Sequence, residues 1–231
     1  MKYKVGIICA IDRETRPVLS HLQDQVVSEK AMLEVYEGKI EGVDAAVLSC
    51  GVCKVNAAIA AQILIDTYDC NVILNGGTAG GIDAQLHVFD TVVTVESAYW
   101  DVSENILTEY HPNMETIFFQ AEENLLSLVR MAAAGSKQKI VFGRTMTGEL
   151  FIDQEKRREI KARFQPLTVD METAAIAHVC HVNKVPFVAV RAISDTEEES
   201  GEGNFEQNCN RASEVSAEFI REILKEINRL Q

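Results

Sequence analysis

The sequence predicts an α/β protein, a three-layer α/β/α sandwich around a mixed, mostly parallel sheet. Three observations predict it. Short apolar runs of strand length alternate with helical patterns from end to end. The last helical pattern carries Ala212, Val215, Phe219, Ile223, Ile227 and Leu230 at spacings of three and four, one apolar stripe of a helix laid on a sheet. No linker, repeat or low-complexity tract interrupts the 231 residues, so 1–231 is expected to form a single domain.

Taken in order, Tyr3 to Cys9 reads as a buried strand. Asp12 to Leu22 follows as a helix in which Pro17 is tolerable only near the first turn. Leu33 to Lys39 and Asp44 to Ser49 are strands separated by the turn-like Glu41-Gly42. Val55 to Tyr68, rich in Ala, Ile and Leu, is a helix, and Asn71 to Asn75 is a strand that runs into a glycine cluster. Thr91 to Glu96 is a strand, and Glu122 to Ala134 is a helix ended by Gly135 as its cap. Lys139 to Thr147 is a strand, Gln154 to Phe164 a charged, surface-facing helix, and Thr168 to Asp170 a short strand. A helix from Glu172 to Asn183 and a strand from Pro186 to Ile193 precede the final helix. Between those last two, the acidic stretch Glu197 to Glu202 reads as a solvated loop.

Composition excludes several classes of function. Hydrophobic residues make up 47% and charged residues 25%, which suits a packed core and not a disordered chain. The net charge of −13 makes the protein a poor ligand for nucleic acid, whose backbone needs a basic footprint. The apolar run Val5 to Ile11 stops at Asp12 without a small-residue cleavage site, and no uncharged stretch approaches the ~20 residues of a membrane span. Cys9, Cys50, Cys53, Cys70, Cys180 and Cys209 sit mostly in apolar segments, as the reduced thiols of a cytoplasmic protein do.

In a sheet of this kind the ligand site lies beyond the carboxyl ends of the strands, and the unusual residues fall there. Asn75 to Gly81, NGGTAGG, follows a strand and can bring backbone N–H groups close to a ligand, or can serve simply as a tight connection. It matches neither a dinucleotide fingerprint nor a P-loop. In VDMETAA, 169–175, Asp170 can cap the following helix and Glu172 suits its first turn; Glu172 can also accept hydrogen bonds from a sugar diol. In VRAISD, 190–195, Arg191 sits within an apolar strand, where a charge is costly unless paired, and Asp195 lies just past its end, a place for an acid. Glu14, in GIICAIDRE, means little alone. Metal readings are weaker: Cys50 and Cys53 lack a second pair, and His178, Cys180 and His181 lack a carboxylate beside them.

Six segments together resemble the purine nucleoside phosphorylase/nucleosidase superfamily, and most closely the 5′-methylthioadenosine/S-adenosylhomocysteine nucleosidases. They are GIICAIDRE, SCGVCKVNAA at 49–58, NGGTAGG, TGELFID at 147–153, VDMETAAIAHVCHVNKVPF at 169–187 and VRAISD, collinear over nearly the whole chain. The resemblance implies a homodimer that cleaves the N-glycosidic bond of an adenine nucleoside with water, without metal or organic cofactor. It implies Asp195 as general acid at the base, Glu14 as the group that orients and deprotonates water, and Glu172 on the ribose hydroxyls over Met171. Arg191 would help to hold the water and Glu14, and Thr78 stands where the family has a serine. Phe151 would stack on adenine, the Ile152 backbone would read its edge, and Phe205, Val52 and Ile11 would supply apolar walls.

Three departures accompany it. Residues 99–112 lack the family's His-Asp-x-Asp pattern, which puts the preference for the 5′-substituent in doubt. Gly148-Glu149-Leu150 stands where an Asp is common, and Asp170 replaces a common Glu. A phosphorylase of the same superfamily remains the nearest rival, kept open by Arg13 and Arg16. A non-catalytic nucleoside-binding protein is a further alternative, whose mark would be loss of the acid or the base. A polysaccharide hydrolase is disfavoured by a single Trp and 6% aromatic residues.

Overall fold

The computed structural model describes residues 2–196 and 202–230. In chain order the elements are β1 (Lys4–Cys9), α1 (Asp12–Leu19), β2 (Gln23–Lys30), β3 (Leu33–Ile40), β4 (Val43–Ser49), α2 (Lys54–Asp66), β5 (Val72–Gly81) and β6 (Thr91–Tyr99). There follow α3 (Glu104–Glu109), β7 (Phe119–Gln120), α4 (Glu123–Gly135), β8 (Ile140–Thr147), α5 (Gln154–Phe164), β9 (Thr168–Asp170), α6 (Thr173–Asn183), β10 (Phe187–Asp195) and α7 (Glu202–Asn228).

The strands form one mixed sheet in the order β10-β6-β8-β9-β5-β1-β4-β3-β2, with β7 added to β6. Its centre, where β1 lies between β4 and β5 and β5 pairs with β10, is parallel. Such strands are covered on both faces, which is why β1 and β10 read as continuous apolar runs. β10 also pairs with β6, so β10, β6, β8, β9 and β5 close on themselves into a barrel-like ring. The ring is closed by the parallel pairing of β10 with β5, and β6 and β9 run antiparallel to their neighbours β10 and β5, so the sheet is mixed as expected.

Helices cover both faces. On one, Phe219, Ile220, Ile223, Leu224 and Ile227 of α7 pack with Val5, Ile7, Leu74, Val188 and Val190 of the sheet. On the other, Ala57, Ala60, Ala61 and Leu64 of α2 meet Ala174, Ile176, Ala177 and Cys180 of α6 above Ile8, Leu48, Ile73 and Ala189. The small residues on α2 and α6 let the two helices lie close against each other and the sheet. Leu230, assigned to the α7 stripe, lies beyond the helix end and is exposed.

Boundaries differ where local signals are weak. α1 stops at Leu19, two residues after Pro17, which lies in its last turn instead of its first. Gly135 is the last residue of α4, and the chain leaves through Ser136 with ordinary extended angles, so no left-handed glycine cap forms. β2 escaped the sequence reading because all eight of its residues are exposed and it pairs only with β3. The glycine cluster is no loop: β5 continues through Asn75 to Gly81, paired with β10 on one side and β9 on the other. The acidic stretch expected as a loop lies outside the described residues save Glu202, which opens α7. Among the described residues no helix is long and apolar enough to cross a membrane.

Candidate active site

Because β1, β5 and β10 are parallel, the segments leaving their carboxyl ends converge. A cavity of about 340 Å³ opens there, within the ~300–1,000 Å³ typical of small-molecule sites. Its wall includes Glu14 from α1, Thr78 and Gly80 from β5, Glu172 at the start of α6 and Asp195 at the end of β10. Thr78 and Gly80 are two apart on one strand and so face the same side, about 7 Å apart by strand rise. Glu14 meets the first and Asp195 the second.

Glu14 is 3% exposed and accepts four hydrogen bonds. Oε1 takes the Thr78 amide and hydroxyl, both at 2.8 Å, and Oε2 takes the amides of Ala10 at 2.9 Å and Ile11 at 3.4 Å. Both oxygens are therefore fixed at the cavity wall. Gly77 makes this possible. Its φ of +134° suits glycine alone, and a Cβ there would fall 2.6 Å from the Glu14 carboxyl carbon. Gly77→Ala is expected to displace Glu14 and to cost about as much activity as replacing Glu14 itself; a steady-state assay on the purified variant checks it.

Glu172 stands at the position just before α6, makes no capping bond with its side chain, and is 4% exposed. Oε1 accepts the Cys53 amide at 3.0 Å and Oε2 the Arg191 Nη2 at 3.1 Å. Arg191, wholly buried, also donates through Nε to Asp170 at 3.0 Å and through Nη1 to the Gly76 carbonyl at 3.2 Å. Two carboxylates thus share one guanidinium away from water. Burial pushes the Glu172 carboxyl up to about 7; Arg191 and the Cys53 amide pull it down, and Asp170 and Glu14 push it further up. Asp170 is held in addition by the hydroxyls of Thr147 and Thr173 and by the Thr173 amide, which makes it a cap of α6 as well as an ion-pair partner. Arg191 was expected to hold Glu14. No hydrogen bond joins the two among the described residues; Arg191 stands behind Glu172 and fixes it, because β10 carries it toward α6 and not toward α1.

Asp195 is 3% exposed. Its Oδ1 accepts the Ser194 hydroxyl at 2.9 Å and its Oδ2 the Arg157 Nη2 at 2.8 Å. Arg157, from α5, is 2% exposed and also donates to the Gly81 carbonyl. The sequence reading made α5 a surface helix and missed this residue. One buried Arg within QEKRREIK, 154–161, has no signal of its own, since the turn that faces inward is set by Ile160 and Phe164 three and seven residues on.

Apolar walls complete the cavity. Ile11, Val52, Ile152 and Met171 line it, and Phe151 and Phe205 meet edge-to-face with ring centroids 6.2 Å apart. Phe151 is 49% exposed, so this pair stands at the mouth. Arg13 lies 5.6 Å over the Phe205 ring and makes a two-bond pair with Glu206 at 2.7 and 2.8 Å. The other cation considered for phosphate, Arg16, lines a separate cavity with Asp12, Tyr36 and Ser49. Every residue assigned to the site from sequence except Arg191 borders the one cavity.

The divergent segment 99–112 contributes no lining residue; Asp101 instead takes the Lys54 ammonium at 2.9 Å and the Glu149 amide at 2.9 Å, which ties the start of α2 to the segments after β6 and β8. All six cysteines are free. His178 stacks on Phe119 at 4.9 Å, and among the described residues no group of three or more His, Cys, Asp or Glu is placed to hold a metal.

With this geometry in hand, comparison with known proteins places the chain. Residues 4–225 match the phosphorylase superfamily, and the chain belongs to it. Within that class it is a member of the 5′-methylthioadenosine/S-adenosylhomocysteine nucleosidase family. It is 33% identical to such a nucleosidase from Actinobacillus succinogenes over 228 residues, 97% of this chain and 99% of the relative. Among solved structures it is similar to the nucleosidase of Colwellia psychrerythraea in complex with adenine, at 31% identity and a TM-score of 0.88 over 98% of this chain and 96% of that one. It is also similar to the nucleosidase of Neisseria meningitidis in complex with methylthio-immucillin-A, at 29% identity and a TM-score of 0.86 over 96% and 98%.

Proposed function

We propose that this protein hydrolyses the N-glycosidic bond of an adenine nucleoside, 5′-methylthioadenosine, S-adenosylhomocysteine or a 5′-modified relative, to adenine and the free ribose derivative. The observation that carries the reading is the placement of Glu14, Glu172 and Asp195 on one nucleoside-sized cavity. Breaking the bond builds positive charge on the sugar and negative charge on the purine. Glu14 orients a water and takes its proton as the oxygen bonds the sugar carbon. Glu172 accepts from the ribose hydroxyls above Met171, and its charge favours the cationic sugar. Asp195 engages the base as acid and hydrogen-bond partner, with Phe151 stacked on the ring, the Ile152 backbone at its edge, and Ile11, Val52 and Phe205 keeping water out. Arg191 fixes Glu172, and Thr78 fixes Glu14.

Water is favoured over phosphate because the nucleophile's place is bordered by the Glu14 carboxylate, while Arg13 is taken up by Glu206 and Arg16 lies elsewhere. The test is chromatography of 5′-methylthioadenosine, S-adenosylhomocysteine, adenosine and inosine, each with and without phosphate. Adenine released without phosphate supports hydrolysis; release that requires phosphate reassigns the protein as a phosphorylase, and no release at all makes it a binding protein.

The site needs no metal or organic cofactor in this reading. The free thiols suit a cytoplasmic protein. Val55 and Ile59 of α2, Ile106 of α3 and Val182 of α6 are exposed apolar residues, and they support a homodimer, tested by sedimentation.

Glu172 gives the reading a pH dependence. A ribose hydroxyl donates more strongly to the carboxylate than to the neutral acid, so nucleoside binding is expected to tighten as pH rises through about 7 and then level off. Adenine alone lacks the diol and should show no such rise; calorimetric titration of both from pH 6 to 8 checks it. The sign for stability is opposite. A carboxyl raised in the folded state favours folding at low pH, and that contribution fades as pH climbs from the ordinary carboxylate range through about 7.

A further inference from the structure

Resting on the adenine-nucleoside reading, we propose that Asp101 is a positioning residue for the nucleoside. It locks the loop that carries the base wall to the start of α2, which holds the sugar carboxylate, and so keeps the two at one fixed spacing.

The loop, residues 148–153, joins β8 to α5 and carries Phe151 and Ile152. Leu150 and Phe151 are exposed, so burial does little to anchor that part of it. Polar tethers do so instead. Asp101, in the segment after β6, accepts the Glu149 amide through Oδ2 at 2.9 Å. Its two oxygens also take the Lys54 ammonium, at 2.9 and 3.0 Å. Glu149 in turn accepts the Lys54 amide through Oε1 at 3.0 Å, and the ammonium lies 3.8 Å from the same oxygen. The Lys54 and Asp101 side chains are 21% and 19% exposed, so solvent screens their pairing only in part. Beside them the Trp100 ring lies against Gly148, where a Cβ would fall 2.2 Å from its Cε2.

The other end of the lock is Glu172. Lys54 opens α2, and Cys53, just before it, gives its amide to Glu172 Oε1 at 3.0 Å. Cys53 has φ of +83° and ψ of 165°, a region kept almost wholly to glycine, and such a conformation persists only where the surroundings hold it. Two successive amides thus serve two carboxylates, Glu172 on the sugar side and Glu149 on the base side. Asp101 closes the connection through Lys54. A nucleoside must meet Phe151 and Glu172 at once, because one bond joins its base to its sugar. Adenine alone meets only the base wall and can follow the loop wherever it settles. A fixed spacing therefore serves the nucleoside more than the free base. Segment 99–112, which lines no part of the cavity, acts on the nucleoside in this way.

The test is steady-state hydrolysis of 5′-methylthioadenosine by wild type and Asp101→Ala, with adenine as competitive inhibitor, together with tryptophan emission. KM of the variant is expected to rise about tenfold, the scale of one hydrogen bond to a charged group, and Ki for adenine to rise much less. Trp100 is the only tryptophan of the chain, so its emission is expected to shift to the red as the loop leaves it. Asp101→Asn keeps an acceptor for the Glu149 amide and gives up the charge facing Lys54, so its KM is expected to fall between the two. Lys54→Met added to Asp101→Ala is expected to raise KM little further, since the two act as one unit. An unchanged KM, equal rises in KM and Ki, an unchanged emission, or a further rise in KM of about tenfold on adding Lys54→Met each overturns the assignment. A purely structural role would lower the melting temperature and move KM and Ki together or not at all. Should Asp101→Ala fail to fold, Asp101→Asn and Lys54→Met decide by the same comparison of KM with Ki. A wild type that releases no adenine overturns the hydrolase reading itself, whereas the other adverse results overturn the lock alone.

Discussion

Replacing Asp195 with asparagine is expected to lower adenine release by about 10³-fold, the scale of a lost acid–base group. The amide keeps the shape, but it cannot offer a full negative charge to the amine or a proton to the ring. The same change strikes the fold. Arg157 and Asp195 are both almost completely buried, and breaking such a pair leaves a charge without compensation at a cost of about 3–5 kcal/mol. A loss of activity alone could therefore report partial unfolding. The double variant Arg157→Met with Asp195→Asn separates the two, because it removes both charges. Its melting temperature is expected to recover most of the loss while turnover stays low. Recovery of turnover together with stability would show that Asp195 serves only to balance Arg157.

How far the sequence reaches is clearest at this pair. Asp195 was legible because it stands at the end of an apolar strand in an α/β chain, where function collects. Arg157 was not, because a helix full of charges says nothing about which of them turns inward. Glu14 was legible only through its segment; its four donors come from residues 4, 3 and 64 positions away, and no local pattern encodes that convergence. Arg191 was rightly read as a charge that must be paired, yet its partner was misjudged. Pairing depends on whether β10 delivers the side chain toward α1 or α6, and that follows from sheet order. The alternation of strands and helices gave the layers, whereas the closure of the ring by β10 against β5 lay in a long-range pairing that periodicity does not carry. NGGTAGG shows the same limit, for glycines signal loops locally, but here they are held in a strand by neighbours on both sides.

Glu14→Gln is expected to remove hydrolysis by about 10²–10⁴-fold, since an amide cannot take the proton of water. Adenine binding should persist, because Glu14 meets the Thr78 end of the wall and the base is assigned to the Gly80 end. The substitution is less innocent than its shape suggests. Glu14 receives donors on both oxygens, whereas glutamine has one acceptor and one donor group. If its oxygen faces Thr78, its amine opposes the Ala10 and Ile11 amides; turned round, it opposes Thr78. Either way buried N–H groups lose their acceptor, at about 1–3 kcal/mol. The variant should thus melt lower than wild type and still bind adenine with near-normal affinity by calorimetry. That combination, with hydrolysis gone, assigns proton removal to Glu14. Unchanged hydrolysis would move the task to another group, and among the residues on this cavity the remaining acids, Asp170, Glu172, Asp195 and Glu206, are each already engaged by an arginine. The base would then have to come from outside the cavity wall.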